Sequence, residues 1–321
     1  MHDPDMLRAV VRTFGDPRAV VGLEEAPRVA PGPAEVEIRI RRAAINPSDL
    51  IPVTGAYRSR TSLPFVPGFE GVGEVVRIGD GVTELVPGQR VLPIGASGLW
   101  QQFLLRPADW CFAVPDDLSD DAAAMAYVNP LTAFRLVDAV QDHFGDGAGR
   151  RIGVTAAASA IGRMLLALLA DAGFQPVALV RSERAATRLA VDFTGEIVTR
   201  CAPPLDAVLD AVGGAPGEAL FRQIRRGGAF VQYGALSGVQ LDPALVASRR
   251  EAVAFSFLWL RSWVHAAPRA AIETAFRRSF EGIRAGRLAS TVESIHALCD
   301  LPAALQRQYD PARGGKLLLA P

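Results

Sequence analysis

Arg151-Ile152-Gly153-Val154-Thr155-Ala156-Ala157-Ala158-Ser159-Ala160-Ile161-Gly162 decides the fold of one half of the chain. A short apolar strand enters a turn of small residues and runs straight into an apolar helix, Ile161 to Ala172, which Gly173 stops. A second strand, Pro176 to Val180, follows. This is the start of a dinucleotide-binding β-α-β unit. In the pattern G-x-G-x-x-G the glycines fall at 157, 159 and 162, where the chain has Ala157, Ser159 and Gly162. Small residues still let the backbone approach a pyrophosphate. The Ser159 hydroxyl adds a hydrogen bond, and the helix N-terminus adds free N–H groups and positive partial charge. Ala158, Ser159, Ala160, Ile161 and Gly162 are therefore the expected phosphate turn. A buried crossover that binds nothing has the same pattern, so the flanks carry the weight.

The end of the second strand selects the cofactor. An NAD site places Asp or Glu there for the ribose 2′-OH. Here the run is Arg181-Ser182-Glu183-Arg184. A guanidinium suits a 2′-phosphate through forked, charge-assisted hydrogen bonds, and Ser182 can donate as well. The expected cofactor is NADPH, held by Arg181, Ser182 and Arg184. The competing reading is an ordinary charged helix start with Glu183 near the positive end of the dipole.

Further alternation of strands and helices surrounds this unit. Asp206 to Val212 reads as a buried strand ending in Gly213-Gly214, Glu218 to Arg226 as a helix, and Ala229 to Gly234 as the next strand. Ala252 to Trp259 reads as another apolar strand, and Pro268 to Ala285 as an amphipathic helix. Such alternation implies a doubly wound parallel α/β sheet with ligands at the carboxyl ends of its strands. Val212, Gly213, Tyr233, Gly234, Phe257 and Trp259 stand at those ends. Between Val198 and Leu205 the link holds Pro203 and Pro204, too many prolines for a crossover helix.

Before about residue 121 the pattern differs. Glu35 to Ile40, Gly71 to Ile78, Arg90 to Pro93 and Gln102 to Leu105 are short strand-like runs cut by Pro and Gly, as in a small barrel or sandwich. Thr132 to Phe144 reads as a longer helix. The tail from Leu288 to Leu319 is again short and strand-like, and is expected to return to the first domain. The expected division is 1–121 with 286–321 against 122–285. At 321 residues, half of them apolar, the chain is long enough for two cores.

Balanced charge, 34 basic against 34 acidic residues, gives no reason to expect nucleic acid as a partner. The three cysteines, Cys111, Cys201 and Cys299, form no C-x-x-C pair, which fits a reducing cytoplasmic setting without disulfides. The start of the chain has acids and no apolar core region of a signal peptide, and no membrane association is expected.

Ile45-Asn46-Pro47-Ser48-Asp49, Gly55-Ala56-Tyr57, Pro67-Gly68-Phe69-Glu70-Gly71-Val72-Gly73, Pro87-Gly88-Gln89-Arg90-Val91 and Val128-Asn129-Pro130-Leu131-Thr132-Ala133 together resemble the medium-chain dehydrogenase/reductase superfamily. The resemblance spans nearly the whole chain. It implies a GroES-like β-barrel domain interrupted by a Rossmann domain, an active site between them, and a homodimer paired through the strand near Ala252 to Trp259. The zinc alcohol dehydrogenases of this superfamily have Cys at Asn46 and His at Phe69. Asn and Phe cannot complete a three-ligand catalytic zinc site, so a zinc-free reductase is implied. Glu70 is then expected to be a buried carboxylate bonded to backbone or to an arginine.

Within that branch the residues look closest to mitochondrial-type enoyl thioester reductases, with quinone oxidoreductases second. The resemblance implies NADPH-dependent reduction of an activated C=C bond. Tyr57 would donate the proton, Asn46 and Asn129 would hold the carboxamide or a water, Thr132 would bond the cofactor, and Lys316 would join the cofactor-binding set. Tyr57 also reads as a rim aromatic lining the pocket. The substrate would be a small molecule, either free or presented as a carrier-bound acyl thioester. Arg58 and Arg60 suit a phosphate-bearing carrier but read better as solvated charges. A quinone or enone reductase, and a non-catalytic crystallin-like NADPH-binding protein, are the other readings.

Overall fold

The computed structural model describes residues 5–146, 149–200 and 202–321. The chain folds as two compact units, Asn129–Ala266 and the remainder, Met1–Val128 with Ala267–Pro321.

The inner unit is built on six strands: β1 (Arg151–Thr155), β2 (Gln175–Leu179), β3 (Glu196–Val198), β4 (Ala207–Asp210), β5 (Gly228–Gln232) and β6 (Val253–Phe257). All pairings are parallel and the order across the sheet is 3-2-1-4-5-6. That is the doubly wound dinucleotide-binding order, whose switch point lies between β1 and β4. Every residue of β4 and β5 is buried, as a central parallel strand covered on both faces requires. Among the described residues between Val198 and Ala207 there is no helix, in keeping with Pro203 and Pro204. The helix Ala160–Asp171 carries an apolar stripe of Met164, Leu165, Leu166 and Leu169 onto the sheet.

The outer unit is mainly antiparallel. Its long central strand, Glu35–Ile45, pairs with Gly71–Ile78 along one edge. Along the other edge it meets Phe103–Pro107 through its first half and Lys316–Ala320 through Ala43 to Ile45. The tail therefore does return to this unit. Val36, Ile38, Ile40, Val75, Leu317 and a fully buried Trp100 fill the core. The Trp100 indole N–H donates to the Ala44 carbonyl at 3.2 Å.

Two expectations are corrected here. The tail is not all strand: Leu301–Gln308 is a helix, opened by Pro302 and burying Leu301, Ala304 and Leu305 at helical spacing. The unit boundaries also differ from 122 and 285. Helix Arg269–Arg284 packs within the outer unit, where Phe276 meets Phe112 and Tyr127 at 5.1 and 5.9 Å. Its Ser279 hydroxyl donates to the Ala126 carbonyl at 2.7 Å. An amphipathic helix reveals its apolar face in sequence, but not which core that face will meet.

Candidate active site

The turn after β1, expected to meet a phosphate, is built by three devices. Ala156 holds a left-handed φ of 49°, which reverses the chain as it leaves β1. Ser159 caps the helix, its Oγ accepting the Gly162 N–H at 3.1 Å. Its hydroxyl proton stays available to a ligand oxygen. At Gly162 a Cβ would lie 2.6 Å from the Ala157 carbonyl oxygen and 2.7 Å from that of Ala156. The missing side chain therefore lets the helix close down on the turn itself. Ala158, Ser159, Ala160 and Ile161 line this turn half-buried.

Beside it, Thr155 joins β1 to β4. Its hydroxyl donates to Asp210 Oδ1 at 2.8 Å and accepts the Ala211 N–H at 2.8 Å. Asp210 in turn accepts the N–H groups of Val212 and Gly213 at 3.0 and 2.8 Å, which shapes the next turn. Gly213 and Gly214 there have φ of 67° and 54°, and a Cβ on Gly213 would lie 2.3 Å from the Val239 carbonyl oxygen. Burial raises the Asp210 carboxyl above the usual carboxylate range despite these donors.

At the end of β2, Arg181 and Arg184 are exposed, and neither is ion-paired to another described residue. Ser182 caps the short helix Glu183–Leu189 by accepting the Ala185 N–H at 3.3 Å. Glu183 is drawn aside by the Thr199 hydroxyl at 2.7 Å, which leaves the two guanidinium groups available to an anion.

At the end of β5 the Tyr233 hydroxyl is shut off from solvent with no hydrogen-bond partner among the described residues. Such an orphan is costly unless something bonds to it. Gly234 follows, where a Cβ would lie 2.8 Å from the Ala211 carbonyl oxygen. Asn129 and Thr132 stand on helix Val128–Phe144, half-buried and buried respectively. Phe257 and Trp259, at and beyond the end of β6, are 62% and 41% exposed. The two available cations and the turn after β1 together suit a dinucleotide with an extra phosphate.

In the outer unit, Asn46 precedes helix Pro47–Thr54, which ends at Gly55 with φ 83°. The chain then turns, placing Tyr57 half-buried and Arg58 and Arg60 exposed. The Arg58 Nε–H donates back to the Gly55 carbonyl at 3.3 Å.

Asn46 and Lys316, far apart in sequence, meet. Lys316 Nζ donates to Asn46 Oδ1, and Asn46 Nδ2 donates to Glu70 Oε2 at 2.8 Å. Glu70 Oε1 accepts the N–H groups of Tyr127 and Val128 at 3.0 and 2.7 Å. It is thus a buried carboxylate bonded to backbone, as expected, rather than to an arginine. Asp49 completes the group, accepting the Asn46 N–H at 2.6 Å and the Phe69 N–H at 2.8 Å. Burial outweighs those donors and pushes its carboxyl up to about 7. Burial likewise lowers the Lys316 ammonium. Sequence reasoning missed Asp49, although its place three residues after Asn46 is capping-box spacing. Asn46 and Lys316, both expected at the ligand, are 2% and 6% exposed and bond to each other inside the protein.

Residues 32–116 match the alcohol dehydrogenase GroES-like domain and residues 183–319 match the zinc-binding dehydrogenase family. A provisionally named NADPH:quinone reductase from Bacillus thuringiensis superposes with TM-score 0.91 at 30% identity, covering 99% of this chain and 100% of that one. The chain belongs to the zinc-free branch of the medium-chain dehydrogenase/reductase superfamily. It is an oxidoreductase of that branch. Among its described residues no group of three His, Cys, Asp or Glu side chains is placed to hold a metal ion.

Two further relatives bear on this oxidoreductase. Human mitochondrial enoyl-[acyl-carrier-protein] reductase is 28% identical over 337 aligned positions, 99% of this chain and 89% of that protein. Escherichia coli quinone oxidoreductase, solved in complex with NADPH, has TM-score 0.86 at 21% identity over 98% of this chain and all of the other, and shares the fold.

Proposed function

We propose that this oxidoreductase uses NADPH to reduce an activated C=C bond, and that its substrate is a 2-enoyl thioester. The observation that carries the cofactor is the pair Arg181 and Arg184 at the end of β2, without an ion-pair partner among the described residues, where an NAD site would hold an acid. These guanidinium groups take the 2′-phosphate. The turn at Ala158 to Gly162 takes the pyrophosphate through backbone N–H groups and the Ser159 hydroxyl. Held by these residues, NADPH would supply a hydride for the β-carbon of the substrate.

The chain's own task is to manage charge and protons. As the β-carbon is reduced, the thioester oxygen takes on enolate charge and the α-carbon needs a proton. Tyr57, on a turn held at both ends by Gly55 and Arg60 backbone bonds, is the proton donor. The thioester reading draws support from the enoyl reductases among full-length relatives. The quinone reading draws support from the Bacillus thuringiensis structure. The exposed edge of β6, with Phe257 and Trp259, favours assembly with a second copy.

Comparing kcat/KM for NADPH oxidation with crotonyl-CoA and with a small quinone tests the substrate class. A preference for the thioester is expected. A strong quinone preference would move the chain to quinone reduction and leave Tyr57 a pocket wall.

A further inference from the structure

The buried group around Asn46 is larger than a capping box needs. Glu70 Oε1 takes the N–H groups of Tyr127 and Val128, at the very opening of helix Val128–Phe144. The first N–H groups of a helix have no intrahelical partner, and a carboxylate there is favoured by the dipole. The other oxygen of Glu70 takes Asn46 Nδ2, and Asn46 Oδ1 takes Lys316 Nζ. Only one orientation of the amide satisfies both neighbours: oxygen to the ammonium, nitrogen to the carboxylate. The amide is therefore a spacer locked between a cation and an anion.

Lys316 is itself delivered by a pinned segment. Glu293 Oε2 accepts the N–H groups of Gly314 and Gly315 just before it. At Gly315 a Cβ would lie 2.7 Å from the Thr291 carbonyl oxygen, so the backbone passes where no side chain fits. Asn46, Asp49, Glu70 and Lys316 are all at 6% exposure or less. Buried charges of this kind hold together only as a set, because losing one partner strands the others.

We propose that Lys316 and Asn46 are positioning residues that hold Glu70 on the Tyr127 and Val128 amides, fixing the start of the helix that carries Asn129 and Thr132. They act on a bound cofactor through that helix start rather than by touching it. The consequence for binding rests on the NADPH reading above; the structural relay does not.

The test is amide hydrogen exchange over residues 127–132 without cofactor, together with NADPH titration by fluorescence. Lys316→Met should speed exchange in that segment tenfold or more, with the six-stranded sheet unchanged, and should raise the NADPH Kd about tenfold. Lys316→Met combined with Glu70→Gln removes both charges and lets the amide of residue 70 donate to a flipped Asn46. It should bring exchange back to within about threefold of the parent and recover most of the affinity. Should Lys316→Met not fold, Asn46→Leu, which breaks the spacer at similar volume, is expected to give the same local rise. Unchanged exchange at 127–132 in a folded Lys316→Met or Asn46→Leu protein would overturn the relay. Failure of the parent protein to bind NADPH would instead sink the cofactor reading, with the exchange result still deciding the relay.

Discussion

The Thr155 hydroxyl donates to the Asp210 carboxylate at 2.8 Å, linking the carboxyl ends of β1 and β4 across the switch point of the sheet. The same hydroxyl oxygen accepts the Ala211 N–H, and the same carboxylate shapes the Val212-Gly213 turn. Both turns thus depend on one buried side-chain pair. Thr155→Val keeps the shape and removes the donor and the acceptor. Leaving buried groups unsatisfied costs about 1–3 kcal/mol. Urea unfolding should show a loss of that size, and NADPH affinity should fall with it.

Arg181 reaches no carboxylate among the described residues. Arg181→Ala should raise the KM for NADPH by roughly tenfold or more, the worth of a lost charge-assisted hydrogen bond of about 1.5–3 kcal/mol. The KM for NADH should change little. Equal losses for both cofactors would mean that Arg181 does not meet the 2′-phosphate.

Asp49 links fold to pH. Its carboxyl is raised from 3.8 to about 7 by burial, among the Asn46 and Phe69 N–H groups, Glu70 and Lys316. Between those pH values the folded chain holds a proton that the unfolded chain releases. This contribution to stability is present in full below 3.8 and lost as pH rises through 7. The slope reaches up to about 1.4 kcal/mol per pH unit. Asp49→Asn should flatten this part of the stability profile, measured as unfolding midpoints from pH 4 to 8; a profile identical to the parent's would count against a proton on Asp49.

Tyr57→Phe should leave NADPH titration unaltered and cut enoyl thioester reduction by about 10² or more, the usual worth of a positioned acid. Full activity in this variant would make Tyr57 a wall of the pocket.

Most of the inner unit was legible because local pattern and global fold agree there. The helix read as Ile161 to Ala172 is Ala160–Asp171, and the strand read as Pro176 to Val180 is Gln175–Leu179. Period and glycine position suffice for such elements. The outer unit was less legible. Helix Pro47–Thr54 contains Pro52, which masks its helical character, and Leu301–Gln308 sits among strand-like runs. The Asn46–Lys316 contact spans 270 residues, so no local pattern announces it. Each partner is informative alone only as a polar residue beside a buried strand. What brings them together is the pairing of Lys316–Ala320 with the central strand of the outer unit.

The most direct test of the proposed chemistry follows the hydride. The protein would be given NADPH fully deuterated at C4 of the nicotinamide, with crotonyl-CoA, and the acyl product read by NMR. One deuterium at the β-carbon and a solvent proton at the α-carbon is the predicted result. A reduced product without deuterium at the β-carbon, or no acyl product while the cofactor is oxidised by a quinone, would contradict it.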